Sequence, residues 1–308
     1  MSVDRTGLGL AALGRPAYIN LGRENALPVD RTVDAMREAC WRVLDAAYAR
    51  GVRWVDAARS YGRSEEFLAG WLADRRITDV TTSSKWGYAY VADWRPDAEV
   101  HEVKEHSLAR FTAQWAQTRA LLGAEVRYYQ VHSLTPDSPL FADRPLLEAL
   151  AGLAASGVRV GFSTSGPAQS DAVERAFELE VLGQKVFSAV QSTWNVLEPS
   201  VGPALEQARR AGAHVLLKET VANGRLVLEP PAAVAELARR HGVGPDAIAI
   251  AAALAQPWAD TVLSGAASVA QLESNLAALD VRLGQDDLRE LAEPAGDYWA
   301  RRGLLAWT

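Results

Sequence analysis

Short apolar runs alternate with longer amphipathic ones along nearly the whole chain. Runs rich in Val, Trp, Tyr and Thr at 7–13, 53–56, 80–85, 128–132, 158–163, 189–192, 214–218 and 261–264 read as strands. Between them, residues 33–50 place Ala35, Met36, Ala39, Cys40, Val43, Leu44 and Ala47 three and four apart, on one face of a helix. Residues 64–73, 107–122, 144–155, 170–178, 201–211, 232–241 and 269–279 carry the same period. Gly51, Gly123, Gly157 and Gly212 fall just past helical runs, where a left-handed cap favours glycine. The pattern gives about eight strand–helix units with short connections, which favours right-handed parallel crossovers. The expected fold is an α/β chain of one domain over 1–308: a (β/α)8 TIM barrel, with an open doubly wound sheet as runner-up. Helical runs at 245–255 and 285–291 lie outside the eight units, and the tail from Glu293 is expected over the active-site face. Long connections at 86–101, 133–143 and 219–230 follow strands, so in a barrel they stand at the catalytic face.

Composition narrows the function. The 308 residues are 49% hydrophobic and 23% charged, which excludes a disordered or low-complexity chain. Net charge is −6 and no basic run stands out, so no nucleic-acid partner is expected. No apolar run is long enough to cross a bilayer, and the first ten residues lack a hydrophobic signal stretch, so a cytoplasmic protein is expected. The single cysteine, Cys40, excludes an internal disulfide and any multi-cysteine metal site, and no metal is expected.

One motif is a decoy. Gly7-Leu-Gly9-Leu-Ala-Ala12 fits the dinucleotide fingerprint in letters. That fingerprint needs a strand before it and a helix opening on its last residue, and neither is present. The plainer reading is a first barrel strand whose glycines fit a crowded rim.

Four polar residues sit at or just beyond strand ends: Asp56 after the second strand, Tyr61 five residues on, Lys85 after the third and His132 after the fourth. Singly, each has a plainer use: bonding loop amides, packing a loop, snorkelling at a rim, or resting in a core. Together they are harder to dismiss, because consecutive barrel strands bring their ends to one place. They suggest proton transfer by a phenol. Tyrosine's ordinary pKa of about 10 is high for this work. Lys85 is expected to lower it, with Asp56 holding the ammonium in position. His132 can bond a carbonyl oxygen that Tyr61 protonates. No side chain donates hydride, so a nicotinamide must.

At these residues the sequence resembles the aldo-keto reductase superfamily. Residues 51–65, GVRWVDAARSYGRSE, resemble its first signature, and Lys85 and His132 match its strand-three lysine and strand-four histidine. The resemblance runs from Gly7 to about Leu279. It implies a barrel that binds NADP(H) or NAD(H) and reduces an aldehyde or ketone, with Asp56, Tyr61, Lys85 and His132 catalytic. It further implies cofactor contacts at Ser163, Thr164 and Gln191, with Thr164 standing where the family has Asn. Lys218 replaces the aromatic that stacks on the nicotinamide in many members. Thr220, Val221, Asn223 and Gly224 resemble the loop that wraps the pyrophosphate. Ser264, Gly265, Gln271 and Asn275 fall at the adenosine end, but no Lys or Arg lies between 261 and 280 to grip a 2′-phosphate.

Aromatic residues gather on the loops expected to ring the substrate. Trp86 beside Lys85 is the first choice, with Tyr88, Trp94, Trp194 and Trp299, and with Tyr18, Tyr90, Tyr298 and Trp307 in reserve. Trp41, Trp54, Trp71 and Trp115 are expected to pack helices on the barrel. The partner is then a small carbonyl compound or a sugar. Two other readings stay open: NAD-dependent oxidation of aldoses, and a non-catalytic cofactor-binding subunit like those of potassium channels.

Overall fold

The computed structural model describes residues 1–22, 26–284 and 288–307. Eight parallel strands close into a barrel: β1 (Thr6–Gly9), β2 (Trp54–Asp56), β3 (Thr81–Trp86), β4 (Val126–Leu134), β5 (Arg159–Thr164), β6 (Ala189–Thr193), β7 (His214–Lys218) and β8 (Thr261–Ser264). Each strand pairs with its neighbours in sequence, and β1 closes on β8 with Gly7 opposite Leu263. The helices of eight residues or more among the described residues are α1 (Val33–Ala49), α2 (Ser64–Arg75), α3 (Leu108–Leu122), α4 (Arg144–Ala155), α5 (Gln169–Phe177), α6 (Gly202–Arg210), α7 (Ala232–His241), α8 (Pro245–Leu254), α9 (Val269–Leu276) and α10 (Ala295–Gly303). Thr32, Ser107, Asp143 and Ser268 cap α1, α3, α4 and α9 by accepting from backbone N–H groups of the first turn. The periodic face of α1 is the buried one: Met36, Ala39, Cys40, Val43, Leu44 and Ala47. Every residue of α8 after Pro245 is buried, which explains its unbroken apolar run. Among the described residues no helix is long and apolar enough to cross a membrane.

Most boundaries shift by one to three residues, and three departures are larger. The first strand stops at Gly9, because Leu10 turns the chain and its carbonyl accepts from Leu13 and Gly14 N–H. Leu10 and Leu13 are apolar because that turn is buried, not because it is a strand. The helical run expected at 285–291 lies partly outside the described residues; Arg289–Leu291 form one 3-10 turn. After β3 the long connection folds into an antiparallel hairpin, Tyr88–Tyr90 against Glu102–Lys104.

The barrel floor is a plug of side chains. Trp54 stacks on His214 at 4.8 Å and tilts against Tyr128 at 4.6 Å, and Leu216, Leu263 and Ala189 complete the cluster. Trp54 therefore fills the barrel interior rather than packing a helix on its outside. Trp41, Trp71 and Trp115 do face the helical layer, bonding Phe67 O, bonding Asp45 and packing on Tyr129. Gly7 belongs to the floor, not the rim. A Cβ there would meet Leu263 at 2.8 Å and the Trp54 Cβ at 3.2 Å.

Candidate active site

The opposite, C-terminal end of the barrel is open and charged. Asp56 ends β2 and is buried. Its Oδ1 accepts from Ser83 Oγ (2.6 Å), Gln191 Nε2 (3.2 Å) and Gln130 Nε2 (3.3 Å), and its Oδ2 pairs with the fully buried Lys85 ammonium on β3. Lys85 also donates to Ala57 O at 3.1 Å. The Lys85 Nζ lies 4.8 Å from the centre of the Tyr61 ring, and the His132 ring meets Tyr61 edge-on at 5.4 Å. The four residues read from the sequence thus converge on one spot.

The turn that presents Tyr61 depends on two glycines. Tyr61 N–H bonds Ala58 O, and the turn packs directly on the chain that follows β1. A Cβ on Gly14 would lie 2.3 Å from Tyr61 O, and one on Gly62 would lie 2.5 Å from Gly14 O. Gly62 also has φ +56°, which favours glycine. Below the turn, buried Glu65 pairs with Arg59 at 2.5 Å and accepts from Ser84 Oγ and Thr118 Oγ1. The short motif around Tyr61 is therefore a docking surface for the turn as well as a carrier of the phenol.

Electrostatics here oppose one expectation. Burial, then the Asp56 charge, push the Tyr61 phenol well above its ordinary value, and Arg15 only partly offsets them. The Lys85 ammonium is engaged by Asp56, so it does not lower the phenol as expected from the sequence. Burial, reinforced by Lys85 and Lys218, pushes His132 well below the usual histidine range. At neutral pH the site holds a protonated phenol and a neutral imidazole whose Nδ1 lies 3.3 Å from Ser60 Oγ.

Two cavities meet at this spot and share Tyr18, Tyr61, Lys218 and Glu219. The first is narrow, about 80 Å³, and its wall includes Gly9, Asp56, Gln191, Thr220, Val221, Asn223, Ser264 and Gly265. It suits an extended ligand on two observations. Asn223 Oδ1 is buried without a hydrogen-bond partner among the described residues, and a Cβ on Gly265 would enter open space. The loop after β7 holds Glu219, Ala222 and Asn223 at positive φ, a strain that surrounding contacts must maintain. Gly224 bends the same loop against Leu21. The remaining expected contacts are spent on the protein itself. Ser163 Oγ accepts from Ser133 N, and Thr164 bonds Gln169 and Ser192. Gln271 accepts from Ala267 N, while Asn275 links Ser264 to Asp246 with its amide nitrogen toward the carboxylate.

The second cavity, about 290 Å³, rises over Tyr61 and His132. Tyr88 and Tyr18 line it, and Trp307 from the tail covers it, stacked 4.2 Å from His101. Trp86 does not reach it. Side chains alternate along a strand, so with Lys85 inside the barrel Trp86 points out, where it meets Phe111 and His106. Trp94 bonds Arg31 O, Trp194 packs on Trp258 and Trp299 packs on Tyr298, all outside this cavity's lining. Sequence reading missed the charged wall: Arg15 paired with Glu102 at 2.5 Å, and Glu219 gripped by Arg302 from α10 through two bonds of 2.8 and 2.5 Å. Arg15 and Glu219 sit on loops, Glu102 on the hairpin after β3 and Arg302 on α10, so no single element marks them together.

The chain matches the Aldo/keto reductase family profile over residues 32–294. It is 24% identical to an aldo-keto reductase of Strobilurus tenacellus over 302 residues, 86% of this chain and 85% of that protein. A holo-form aldo-keto reductase of Bacillus halodurans superposes with a TM-score of 0.66 at 20% identity, covering 94% of this chain and 93% of that one. A glycerol dehydrogenase of Gluconobacter oxydans gives 0.68 at 20% identity, covering 97% and 92%. With the family match spanning most of the chain and the barrel shared with solved members, the protein belongs to the aldo/keto reductase family of oxidoreductases.

Proposed function

We propose that the protein reduces a small aldehyde or ketone to its alcohol with a nicotinamide cofactor, Tyr61 being the proton donor. The observation that carries this reading is the placing of Tyr61 on the wall common to both cavities, above the Asp56–Lys85 pair and beside His132. The narrow cavity fits the cofactor, with Gln191, Asn223 and Gly265 as its contacts. When bound, the reduced nicotinamide supplies the hydride. Neutral His132 holds the carbonyl oxygen by a hydrogen bond. The high pKa of Tyr61 keeps its proton in place until negative charge grows on that oxygen. As the proton leaves, the phenolate gains the nearby Lys85 ammonium, and Asp56 keeps that ammonium fixed.

The absence of Lys and Arg from 261–280 extends the reading to NADH as well as NADPH. Oxidation of a sugar hydroxyl uses the same residues in reverse, and the charged wall of the larger cavity favours hydroxylated over aryl substrates. The test is a paired titration of NADPH and NADH by tryptophan fluorescence, followed by aldehyde, ketone and aldose panels. Saturable binding of either nucleotide with turnover of a carbonyl or aldose substrate supports the reading. Binding without any turnover points to a cofactor-binding subunit, and binding of neither ends the proposal.

A further inference from the structure

Lys218 ends β7 and lines both cavities. An ammonium carries three N–H donors. One goes to Thr193 Oγ1 at 2.6 Å. Glu219 forms an ion pair with the ammonium at 3.6 Å, longer than a hydrogen bond, and also takes two bonds from Arg302. Among the described residues Thr193 Oγ1 and, at the longer distance, Glu219 are the side-chain partners of Lys218 Nζ, and Glu219 is shared with Arg302. The surrounding charges do not cancel. Arg15 and Glu102 pair with each other, Arg302 and Glu219 pair with each other, and His132 is neutral. Among the described residues the wall over Tyr61 and His132 sets three cations, Arg15, Lys218 and Arg302, against two carboxylates, Glu102 and Glu219, and Lys218 has the longest ion pair of the three.

A charge held away from water is costly unless something of opposite sign meets it. We propose that Lys218 is an anion subsite that selects substrates carrying a carboxylate a few bonds from their carbonyl, so that short oxo acids are the preferred class. This rests on the reading of Tyr61 and His132 as the groups that receive the carbonyl. The geometry sets the length. Tyr61, His132 and Lys218 line one cavity of about 290 Å³, at the small end of ligand pockets. A substrate with its carbonyl at Tyr61 has little room to place its carboxylate beyond the reach of Lys218. A Lys–carboxylate bond there is charge-assisted and partly shielded from solvent, the setting in which such bonds discriminate most.

Burial, offset in part by Glu219 and reinforced by Arg302 and Lys85, brings the Lys218 ammonium down to about 8. Its charge is therefore present below that pH and lost above it. Across the cavity His132 is already neutral in that window, and Glu219, which Arg302 and Lys218 hold at about 2 against the effect of burial, is already ionised.

The experiment compares kcat/KM for a set of four- to six-carbon oxo acids with that for their methyl esters, in the wild type and in Lys218→Met. The expected acid-to-ester ratio is about tenfold or more in the wild type at neutral pH. It falls toward one in Lys218→Met, and toward one in the wild type as pH rises through about 8. The second measurement needs no variant, so it decides the matter if Lys218→Met does not fold. A wild-type ratio near one overturns the subsite while leaving carbonyl reduction standing. A high ratio that neither the substitution nor pH changes removes Lys218 as its source. Turnover of neither acids nor esters, with other carbonyls also inert, takes down the proposed function and this inference with it.

Discussion

The two ends of the barrel are built from the same eight strands and carry different chemistry, joined at Ser83, whose Oγ accepts from Trp54 Nε1 and donates to Asp56 Oδ1. At the floor, Trp54 stacks on His214 and both rings tilt against Tyr128, at centroid distances of 4.6 to 5.3 Å, with Leu216 and Leu263 beside them. Even the polar atoms there are tied down: Trp54 Nε1 donates to Ser83 Oγ, and Tyr128 Oη accepts from Arg159. At the rim, buried Asp56 and Lys85 pair, Tyr61 and His132 border a cavity, and Lys218 lines it with Thr193 and a Glu219 shared with Arg302 as its partners. The floor packs its rings on one another and pairs the polar atoms of Trp54 and Tyr128. The rim leaves the Asn223 acceptor and cavity volume unspent, and supports them with paired charges around the edge. In a parallel barrel the strand ends feed long loops while the strand starts meet short turns, so the unsatisfied chemistry collects at one end. Substitutions at the two ends should accordingly fail in different currencies, one in turnover and one in stability.

The largest separation is expected at Tyr61. Tyr61→Phe removes one oxygen from the rim and leaves the ring that faces Lys85 and His132. Turnover should fall about 10²–10⁴-fold, while nucleotide affinity and the unfolding midpoint change little. Steady-state kinetics beside fluorescence titration read both. Full activity in the variant would remove Tyr61 as the acid and leave the rim without a proton donor.

Trp54→Ala is the mirror test. It empties the centre of the floor and should cost about 3–5 kcal/mol, the usual range for removing a buried tryptophan. At temperatures where the variant stays folded, KM should hold near the wild-type value. Urea unfolding gives the first quantity and kinetics the second. A large KM change with unaltered stability would show that the two ends are not separable.

The sequence discloses these ends unequally, for physical reasons. Strand and helix periods read directly, because burial imposes them, and 214–218 and 261–264 agree with β7 and β8 to the residue. Asp56, Lys85 and His132 are legible because each is an ionisable residue at or near the C-terminal end of a strand run. Trp86 misleads because adjacency in sequence is opposition in a strand. Arg15, Glu102, Glu219 and Arg302 are illegible because their meaning lies in partners 83 and 87 residues away. Trp54 lies two residues before Asp56, so alternation places it on the same inward face one layer down, but what it meets there is not local. Its neighbours Val55 and Asp56 are equally buried, and only barrel closure brings His214 beside it.

The smallest expected effect sharpens the comparison by asking whether the rim's supports act on stability at all. His106 stands behind the rim, its Nε2 bonding His132 O at 2.9 Å and its Nδ1 meeting Ser138 Oγ at 2.8 Å. Burial, only partly offset by the bond to His132, brings its pKa down to about 4. A histidine whose folded pKa lies below its unfolded value binds fewer protons folded than unfolded between the two. Its contribution is present above the unfolded value of about 6.5 and is lost as pH falls toward about 4, with a limiting slope of about 1.4 kcal/mol per pH unit. The depressed His132 and His214 add to the same trend. His106→Asn should therefore lower stability modestly at pH 7 and flatten its decline between pH 6 and 4 by about one proton. Urea unfolding across that range measures the slope directly. If the slope is unchanged, His106 titrates normally in the folded protein and the rim is wetter behind His132 than its packing implies. If it flattens while turnover at pH 7 also drops, then His106 supports His132 through that carbonyl, and the rim's function and its stability are coupled through a single hydrogen bond.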